Sequence, residues 1–210
     1  MPNITSYTIP GNVTHIPSPS MVYCIIEMVG GGGGGGNGNG VTAAGGGGGG
    51  YVRGTFTPAS IGTSIDFNVG AGGNGVTNGP GSDGGSTTMS LAGTASNVMV
   101  AYGGQGALNG ESAGIGGSGV GPFMLPGSDG NNGGYEDPHD DSENPGGVGG
   151  DGGASYFGPG GGGSIYDGAN GRAWGSGGGG GGSFPFNPAT LSGNGANGAV
   201  VITEYVLLSV

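Results

Sequence analysis

Residues 21–36 read Met-Val-Tyr-Cys-Ile-Ile-Glu-Met-Val-Gly-Gly-Gly-Gly-Gly-Gly-Gly, an apolar run of nine residues followed at once by seven glycines. The apolar run has the length and the β-branched and aromatic side chains of a strand, which is predicted to end at Gly30. The glycines have no side chains to pack, so if they are ordered their backbone N–H and C=O groups must find partners. The same requirement applies to the interior runs such as 177–182, for which we predict segments bonded main chain to main chain.

The overall composition is dominated by glycine, which supplies 63 of 210 residues, and further glycine runs occupy 45–50, 160–163 and 177–182. Because there is no Gly-X-Y register and only 13 prolines are present, an ordinary collagen triple helix is excluded. Glycine tracts are commonly flexible linkers, since glycine loses much conformational freedom on folding. However, only 7% of the residues are charged and apolar segments flank the glycine runs, which opposes disorder of the whole chain.

The charge balance restricts the classes of partner. Two arginines and no lysine stand against 13 acidic residues, so the formal net charge is −11. Binding to nucleic acid or to an anionic membrane needs clusters of basic residues, and neither partner is expected. Cys24 is the single cysteine, so no internal disulfide can form. We expect no signal peptide and no membrane insertion, because no basic segment precedes an apolar one and no apolar stretch approaches 18 residues.

Several other segments have strand character, and Asn-Gly and Gly-Gly turns separate some of them. The clearest is the closing segment Ala199–Val206, which is rich in β-branched residues. The others are Tyr51–Thr57, Ser64–Val69, Asn97–Tyr102 and the weaker Thr87–Leu91. Within these apolar runs we predict core positions for six residues. They are Tyr23, Ile25, Phe56, Phe67, Val100 and Ile202.

Between residues 103 and 198 short glycine tracts alternate with brief loops that carry the large side chains. Three-fold extended helices of the polyproline-II type have no internal hydrogen bonds, but glycine chains in this conformation approach closely enough to bond to one another. The predicted fold class is therefore mainly β plus irregular, with almost no α-helix. It comprises a β-rich region at 1–102, a polyglycine-II bundle with recognition loops at 103–198, and a closing strand at 199–210 that returns to the β-region.

The order of these features resembles a known family. Ile9–Val13 precedes the first strong strand, Tyr51 follows a glycine run, Val69–Gly73 and Ala101–Gly104 repeat the strand-to-glycine junction, and Gly195–Ile202 closes the chain. This succession resembles the glycine-rich domains of phage and prophage tail fibres. The interior tracts also look like the distal-tip adhesins of T-even-like phages, in which a polyglycine-II layer carries loops that contact the bacterial receptor.

The resemblance implies attachment to a virion, and here the chain departs from those adhesins. They have a separate fibre-attachment domain before the glycine motifs, and no counterpart is visible in this sequence. The first 30 residues or the last strand would then make the attachment, and self-association as a homotrimer is an alternative. The implied partners are other tail or fibre proteins and a bacterial outer-membrane protein or glycan. The implied location is the virion tail or fibre tip, after synthesis in the host cytoplasm.

Aromatic side chains embedded among glycine and proline are the main candidates for receptor contact, because aromatic residues anchor interfaces with a large contact area at low rotamer cost. Buried and interface aromatics look alike in sequence, so each ring is alternatively a cap on the glycine bundle. Trp174 is the first choice. The remaining aromatic candidates are Tyr135, Tyr156, Phe157, Tyr166, Phe184 and Phe186.

The segment Tyr135–Asn144 is the most acidic part of the chain and contains one of the two histidines, His139. A solvated acidic loop is one interpretation. Receptor contact through His139 is a second interpretation. A Ca²⁺ site is the third, because this cation prefers several oxygen ligands, although the spacing does not match an EF-hand loop. The ligands of that site would be Asp137, Asp140, Asp141 and Glu143. No other cofactor is expected.

Catalysis is not expected, because a histidine beside acidic and hydroxyl residues in one loop does not assemble a triad. Phosphate-binding loops of the Gly-Lys-Ser/Thr type are excluded because the chain has no lysine. The expected function is therefore host-receptor recognition by a non-enzymatic tail-fibre or tail-tip protein. The alternatives are a capsid-decorating or fibre-capping protein without a receptor, and an ice-binding or matrix glycine protein.

Overall fold

Strand β3 (Met21–Val29) is the middle strand of a five-stranded antiparallel sheet and continues directly into the first glycine run. The computed structural model describes residues 2–37, 43–92, 96–108, 112–135, 147–182 and 190–207, with the backbone alone for Tyr135. Sheet A has the order β1 (Pro2–Tyr7), β12 (Ala199–Val206), β3, β4 (Tyr51–Phe56) and β9 (Phe123–Leu125). Sheet B has the order β2 (Gly11–His15), β5 (Ile65–Val69), β6 (Thr87–Leu91), β7 (Asn97–Ala101) and β8 (Gly119–Val120).

The remaining elements are small. Strands β10 (Gly134–Tyr135) and β11 (Gly147–Val148) form a two-stranded antiparallel ribbon, and α1 (Pro58–Ile61) is the single helix within the described part of the chain. The predicted fold class, mainly β with irregular segments and almost no helix, is therefore confirmed. No helix among the described residues is long and apolar enough to cross a membrane.

All the strong strand predictions are confirmed, and the bounds of β3 and β12 agree with the predicted segments. Sequence reasoning missed β1 and β2, which lie at the edges of their sheets and have mostly exposed side chains. It missed them because an edge strand with polar or exposed residues on both faces has no apolar alternation to detect. The two-residue or three-residue strands after residue 118 are too short to leave a pattern.

The core lies between the two sheets, and side-chain alternation decides which residues reach it. In β3 Cys24, Ile26 and Met28 point inward and are buried, together with Phe67 and Ile202 from the predicted set. Phe56 is partly buried and packs against this core, as predicted. Burial raises the pKa of the Cys24 thiol to about 11, with a smaller contribution from the Glu204 carboxylate.

The core prediction was wrong for three residues. Tyr23, Ile25 and Val100 are half-buried and alternate with the buried residues of β3 and β7, so they lie on the other faces of their sheets. Tyr23 instead stacks on Tyr205 of β12, with ring centroids 4.4 Å apart. An apolar run without alternation does not reveal which of its two faces turns inward, and this explains the error.

The glycine run 30–36 is bonded to its neighbours with a period of three residues. The N–H groups of Gly30, Gly33 and Gly36 donate to the C=O groups of Gly50, Gly47 and Ala44, at N···O distances of 3.0, 2.8 and 3.0 Å. The next set, Gly31 and Gly34, donates to Gly85 and Ser82, and the third set, Gly32 and Gly35, donates to Ala196 and Gly193. Three residues per turn is the period of a polyproline-II helix, so each run presents its donors in three directions.

The carbonyl groups of the same run accept bonds from three further segments. Gly31 and Gly34 accept from Gly104 and Ala107, while Gly73 and Gly178 donate to Gly32 and Gly33. Run 30–36 is therefore surrounded by six hydrogen-bonded segments. This is the polyglycine-II bundle that the sequence predicts, and segments on both sides of residue 102 contribute to it.

Absence of a Cβ atom permits this packing. A Cβ built on Gly33 would lie 2.0 Å from the carbonyl oxygen of Gln105, and one on Gly34 would lie 2.1 Å from that of Asn74. The obstacle in each case is backbone, which cannot rotate away as a side chain can. Glycine at these positions is consequently a steric requirement of the bundle.

Asp and Asn side chains complete the hydrogen bonding at the surface of the bundle. Asp83, Asp129, Asp151 and Asp167 accept backbone N–H bonds from neighbouring segments through Oδ1, at 2.7–2.8 Å. Asn132, Asn170, Asn194 and Asn197 do the same, at 2.7–3.0 Å. Each side-chain oxygen takes the position that a carbonyl of a further segment would occupy. These acidic residues therefore have a structural role.

The bundle has two ends, which we call the sheet end and the far end. At the sheet end Gly30, Gly50 and Gly70 adjoin the last or first residues of strands β3, β4 and β5. At the far end the chain leaves one segment and returns in another, as between Gly36 and Ala44, which are hydrogen bonded. The sandwich of sheets thus supports one end of the bundle, and connections between segments lie at the other.

We expect Gly33→Ala to lower the free energy of unfolding by more than about 3 kcal/mol, the upper end of the cost of overpacking, because the methyl group would displace the backbone at Gln105. Chemical denaturation followed by circular dichroism measures this. The matched control is Gly134→Ala, since no heavy atom of the described residues lies within 4 Å of a Cβ there. Equal stability of the two variants would contradict close packing of the bundle.

Candidate functional site

Five aromatic rings meet beside sheet A at the sheet end of the bundle; we call this group the aromatic cluster. Its members are Tyr51, Phe123, Tyr156, Phe157 and Trp174. Tyr156 stacks on Tyr51 with centroids 3.9 Å apart and an interplanar angle of 21°. Phe157 makes edge contacts of 5.4 Å with both Tyr156 and Trp174. The two edge-to-face contacts of Phe157 have a geometry that aromatic pairs prefer.

Two glycine-flanked turns position the exposed rings. The Ser155 hydroxyl donates to the backbone C=O of Trp174 at 2.6 Å and accepts the N–H of Phe157 at 3.2 Å, so one side chain ties the two turns together. Gly175 follows Trp174 with a φ of +75°, a left-handed conformation that side chains other than glycine disfavour. It also packs against Val29, where a Cβ would lie 2.5 Å from a methyl group. Backbone contacts therefore set the direction of the Trp174 ring.

The cluster has a buried base and an exposed surface. Tyr51 is only 1% exposed and its hydroxyl donates to Glu27 Oε1 at 2.6 Å. Burial, and then this hydrogen bond to the carboxylate, raise the pKa of Tyr51. By contrast, Tyr156, Phe123 and Trp174 are 53%, 50% and 40% exposed. The anchored base thus holds the exposed rings in fixed positions.

The structure brings together three of the predicted contact residues, Trp174, Tyr156 and Phe157. Tyr166 does not join them: it is 61% exposed and its carbonyl accepts the N–H of Gly182, at the far end. Extended residues 176–182 span six rises of about 3.1 Å each, so Tyr166 lies roughly 19 Å from the turn that holds Trp174. The rings of the cluster also cover Tyr51, the first residue of β4.

The other predicted residues lie mainly outside the described residues. The backbone of Tyr135 lies in β10, next to the undescribed segment 136–146. Outside the described residues are His139, Phe184, Phe186 and the proposed Ca²⁺ ligands Asp137, Asp140, Asp141 and Glu143. Within the described part of the chain, no three His, Cys, Asp or Glu residues are grouped in a way that could hold a metal ion.

Sequence reasoning missed Tyr51 and Phe123 as members of the cluster. Tyr51 begins a strand and was treated as part of the β-region, although its position directly after six glycines was a usable sign that it stands at the end of the bundle. Phe123 belongs to β9, which pairs with β4, and its partner in that strand is Arg53. That pairing joins residues about 70 positions apart, and no local pattern predicts it.

A group of three polar side chains, which the sequence analysis did not identify, joins the two sheets. Tyr7, His15 and Glu204 come from β1, β2 and β12, with Tyr7 Oη 3.0 Å from His15 Nδ1 and His15 Nε2 3.0 Å from Glu204 Oε1. Glu204 also accepts the N–H of Ser18 at 3.1 Å. Burial, and then the Glu204 carboxylate, raise the pKa of Tyr7. The partners assign Nε2–H as donor to the carboxylate and Nδ1 as acceptor from the tyrosine.

This group satisfies buried polar atoms between the two sheets. We expect Glu204, which accepts two hydrogen bonds, to contribute more to the free energy of unfolding than Tyr7, which makes one. Glu204→Leu leaves the Ser18 N–H and His15 Nε2 without their acceptor, at about 1–3 kcal/mol for each group. Tyr7→Phe removes one peripheral bond, at about 1 kcal/mol. Denaturant unfolding of both variants measures the difference, and a Tyr7→Phe loss as large as that of Glu204→Leu would contradict this order.

Residues 5–205 match the family described as glycine-rich domain, a span that begins within β1 and ends within β12. The chain therefore belongs to the glycine-rich domain family. A search of curated proteins finds no match to it.

Proposed function

We propose that this chain is a non-enzymatic adhesion protein, a tail-fibre or tail-tip protein of a tailed bacteriophage that binds a receptor on the host surface. The observation that carries the proposal is the aromatic cluster, whose exposed rings stand on a scaffold of main-chain hydrogen bonds. The resemblance of the strand-to-glycine junctions to tail-fibre glycine-rich domains supports the phage assignment. The contact residues would be Trp174, Tyr156 and Phe123.

Rigidity of the scaffold is favourable for binding. Each glycine segment is bonded on several sides, so little conformational freedom remains to be lost when a partner binds. Aromatic residues that are already fixed supply large apolar contact areas, and such residues dominate the binding energy of many interfaces. Weak contacts in several copies on one particle would combine into tight adhesion. A homotrimer is one arrangement that provides such copies.

The far end of the bundle is the second candidate contact surface. The exposed Tyr166 lies there, and in the distal-tip adhesins that this chain resembles the loops between glycine motifs contact the receptor. The two surfaces are roughly 19 Å apart, by the rise per residue given above. Single substitutions therefore separate them.

We expect Trp174→Ala to weaken binding of fluorescently labelled protein to susceptible bacteria by tenfold or more, about the loss typical of an aromatic hot spot. Flow cytometry over a panel of strains measures this, with melting curves to verify folding. Tyr166→Ala is the matched control, an exposed aromatic residue on the same bundle, and should bind as the wild type does. The reverse result would transfer the contact to the far end, and absence of binding to every strain would contradict adhesion.

The location on the particle distinguishes the proposal from a capsid-decorating or fibre-capping role. We propose that the chain lies at the tail or fibre tip, together with other tail proteins, after synthesis in the host cytoplasm. Gold-labelled antibody viewed by electron microscopy should mark the distal tail of virions. Labelling of the head surface would favour the decorating protein instead.

A further inference from the structure

A groove of about 510 Å³ lies on the side of the bundle, lined by parts of segments 128–131, 151–154 and 159–162 and by Arg172. This volume falls in the range of small-molecule sites, roughly 300–1,000 Å³. Pro159, in its wall, stands two residues after Phe157, and Arg172 stands two residues before Trp174. The same two chain segments that hold the rings therefore also line the groove.

The groove occupies a position in the bundle where one further glycine segment would fit. In segment 149–154, Gly149 and Gly152 donate to Ser164 and Gly161, while Gly150 and Gly153 donate to Ala43 and Gly46. The two remaining N–H groups of this segment, those of Asp151 and Ala154, point in the third direction of the three-fold helix. Among the described residues these two groups have no backbone acceptor, and both residues line the groove. Two donors about 9 Å apart, three residues at about 3.1 Å, thus face open space.

Charged side chains surround these donors. Asp129 and Asp151 each use Oδ1 to accept a backbone N–H, from Gly116 and Gly163. Their second oxygens have no partner within the described ranges and remain able to accept. The Arg172 guanidinium and the Asp151 carboxylate both lie beside Gly162. A Cβ built on Gly162 would be 3.7 Å from the guanidinium nitrogen and 3.9 Å from the carboxylate oxygen. The groove therefore offers donors and acceptors side by side.

A peptide does not suit this groove. Inside the bundle close packing requires glycine, since a Cβ on Gly152 or Gly153 would lie 2.2 or 2.1 Å from a neighbouring carbonyl oxygen. An ordinary peptide has a side chain at nearly every position, so its own Cβ atoms would meet this backbone before the chain came within bonding distance. A ligand that reaches between the side chains with small polar groups can do so.

We propose that the groove and the adjoining rings of Tyr156 and Trp174 bind a neutral oligosaccharide. A sugar ring has an apolar C–H face, which can pack on an aromatic ring, and hydroxyl groups that both donate and accept. The hydroxyls would accept from Arg172 and from the N–H groups of Asp151 and Ala154, and donate to the carboxylates. Two carboxylates in the groove and a net charge of −11 oppose acidic sugars. The inference rests on the proposed function and specifies its receptor as a glycan.

The test uses the whole chain on a printed array of neutral hexose oligosaccharides, with sialylated and uronic-acid oligosaccharides as the anionic arm. Calorimetric titration of the best neutral oligosaccharide then gives its affinity. We expect neutral binding that Arg172→Gln weakens about tenfold, the effect of losing one charge-assisted hydrogen bond, and that Trp174→Ala also weakens. Tyr166→Ala should leave the affinity unchanged. Binding to acidic oligosaccharides alone, or equal affinity of Arg172→Gln and wild type, would overturn the inference.

Treated bacteria distinguish this inference from the proposed function. Cell binding that periodate oxidation of the surface abolishes and protease treatment spares supports a glycan receptor. Binding that protease abolishes and periodate spares, with an empty array, refutes the glycan and leaves adhesion standing. Array binding without any cell binding refutes adhesion and leaves the sugar site standing.

Discussion

Hydrogen bonding between main chains that have no Cβ atoms is the interaction on which the rest of this protein depends. Run 30–36 bonds to six neighbouring segments, and its glycines leave only about 2 Å for an added carbon. A conventional domain of this size is held together chiefly by apolar side chains. Here a small side-chain core between two sheets supports a larger body in which the backbone supplies the contacts. The strands β3, β4 and β5 adjoin glycine segments and so fix where these segments enter the bundle. Hydrogen bonds between the segments then hold them together.

This construction separates the scaffold from the surface that we propose for recognition. Because the interior of the bundle has no room for side chains, bulky residues are displaced to its turns and flanks. Trp174 and Tyr156 stand at such turns, held by the hydroxyl of Ser155 and by Gly175. Asp and Asn residues take the surface positions where one carboxylate or amide oxygen replaces a missing segment. The acidity of the chain thus follows in part from its architecture, while Asp129 and Asp151 retain a second oxygen for a ligand.

Much of the architecture was accessible from local patterns. Strands β3 and β12 were predicted to the residue, and the polyglycine-II bundle followed from the need of side-chain-free backbone for partners. Edge strands β1 and β2 were not predicted because they lack alternation of apolar and polar residues. Tyr23, Ile25 and Val100 were assigned to the core-facing side of their strands but lie on the other side. In the site, Trp174, Tyr156 and Phe157 were identified as individual candidates. That they meet on Tyr51 and Phe123, whereas Tyr166 lies at the opposite end, was not accessible.

The amino-acid sequence by itself determined the class of fold, because glycine content, strand length and charge balance act locally and can be read one segment at a time. It also determined that bulky side chains must lie outside the glycine segments. Tertiary structure alone decided which segments are neighbours, since glycine runs are interchangeable in sequence and differ only in the strands that feed them. The aromatic cluster and the groove both depend on which segments are neighbours. The cluster forms where rings from distant turns converge, and the groove forms where the bundle has no further glycine segment.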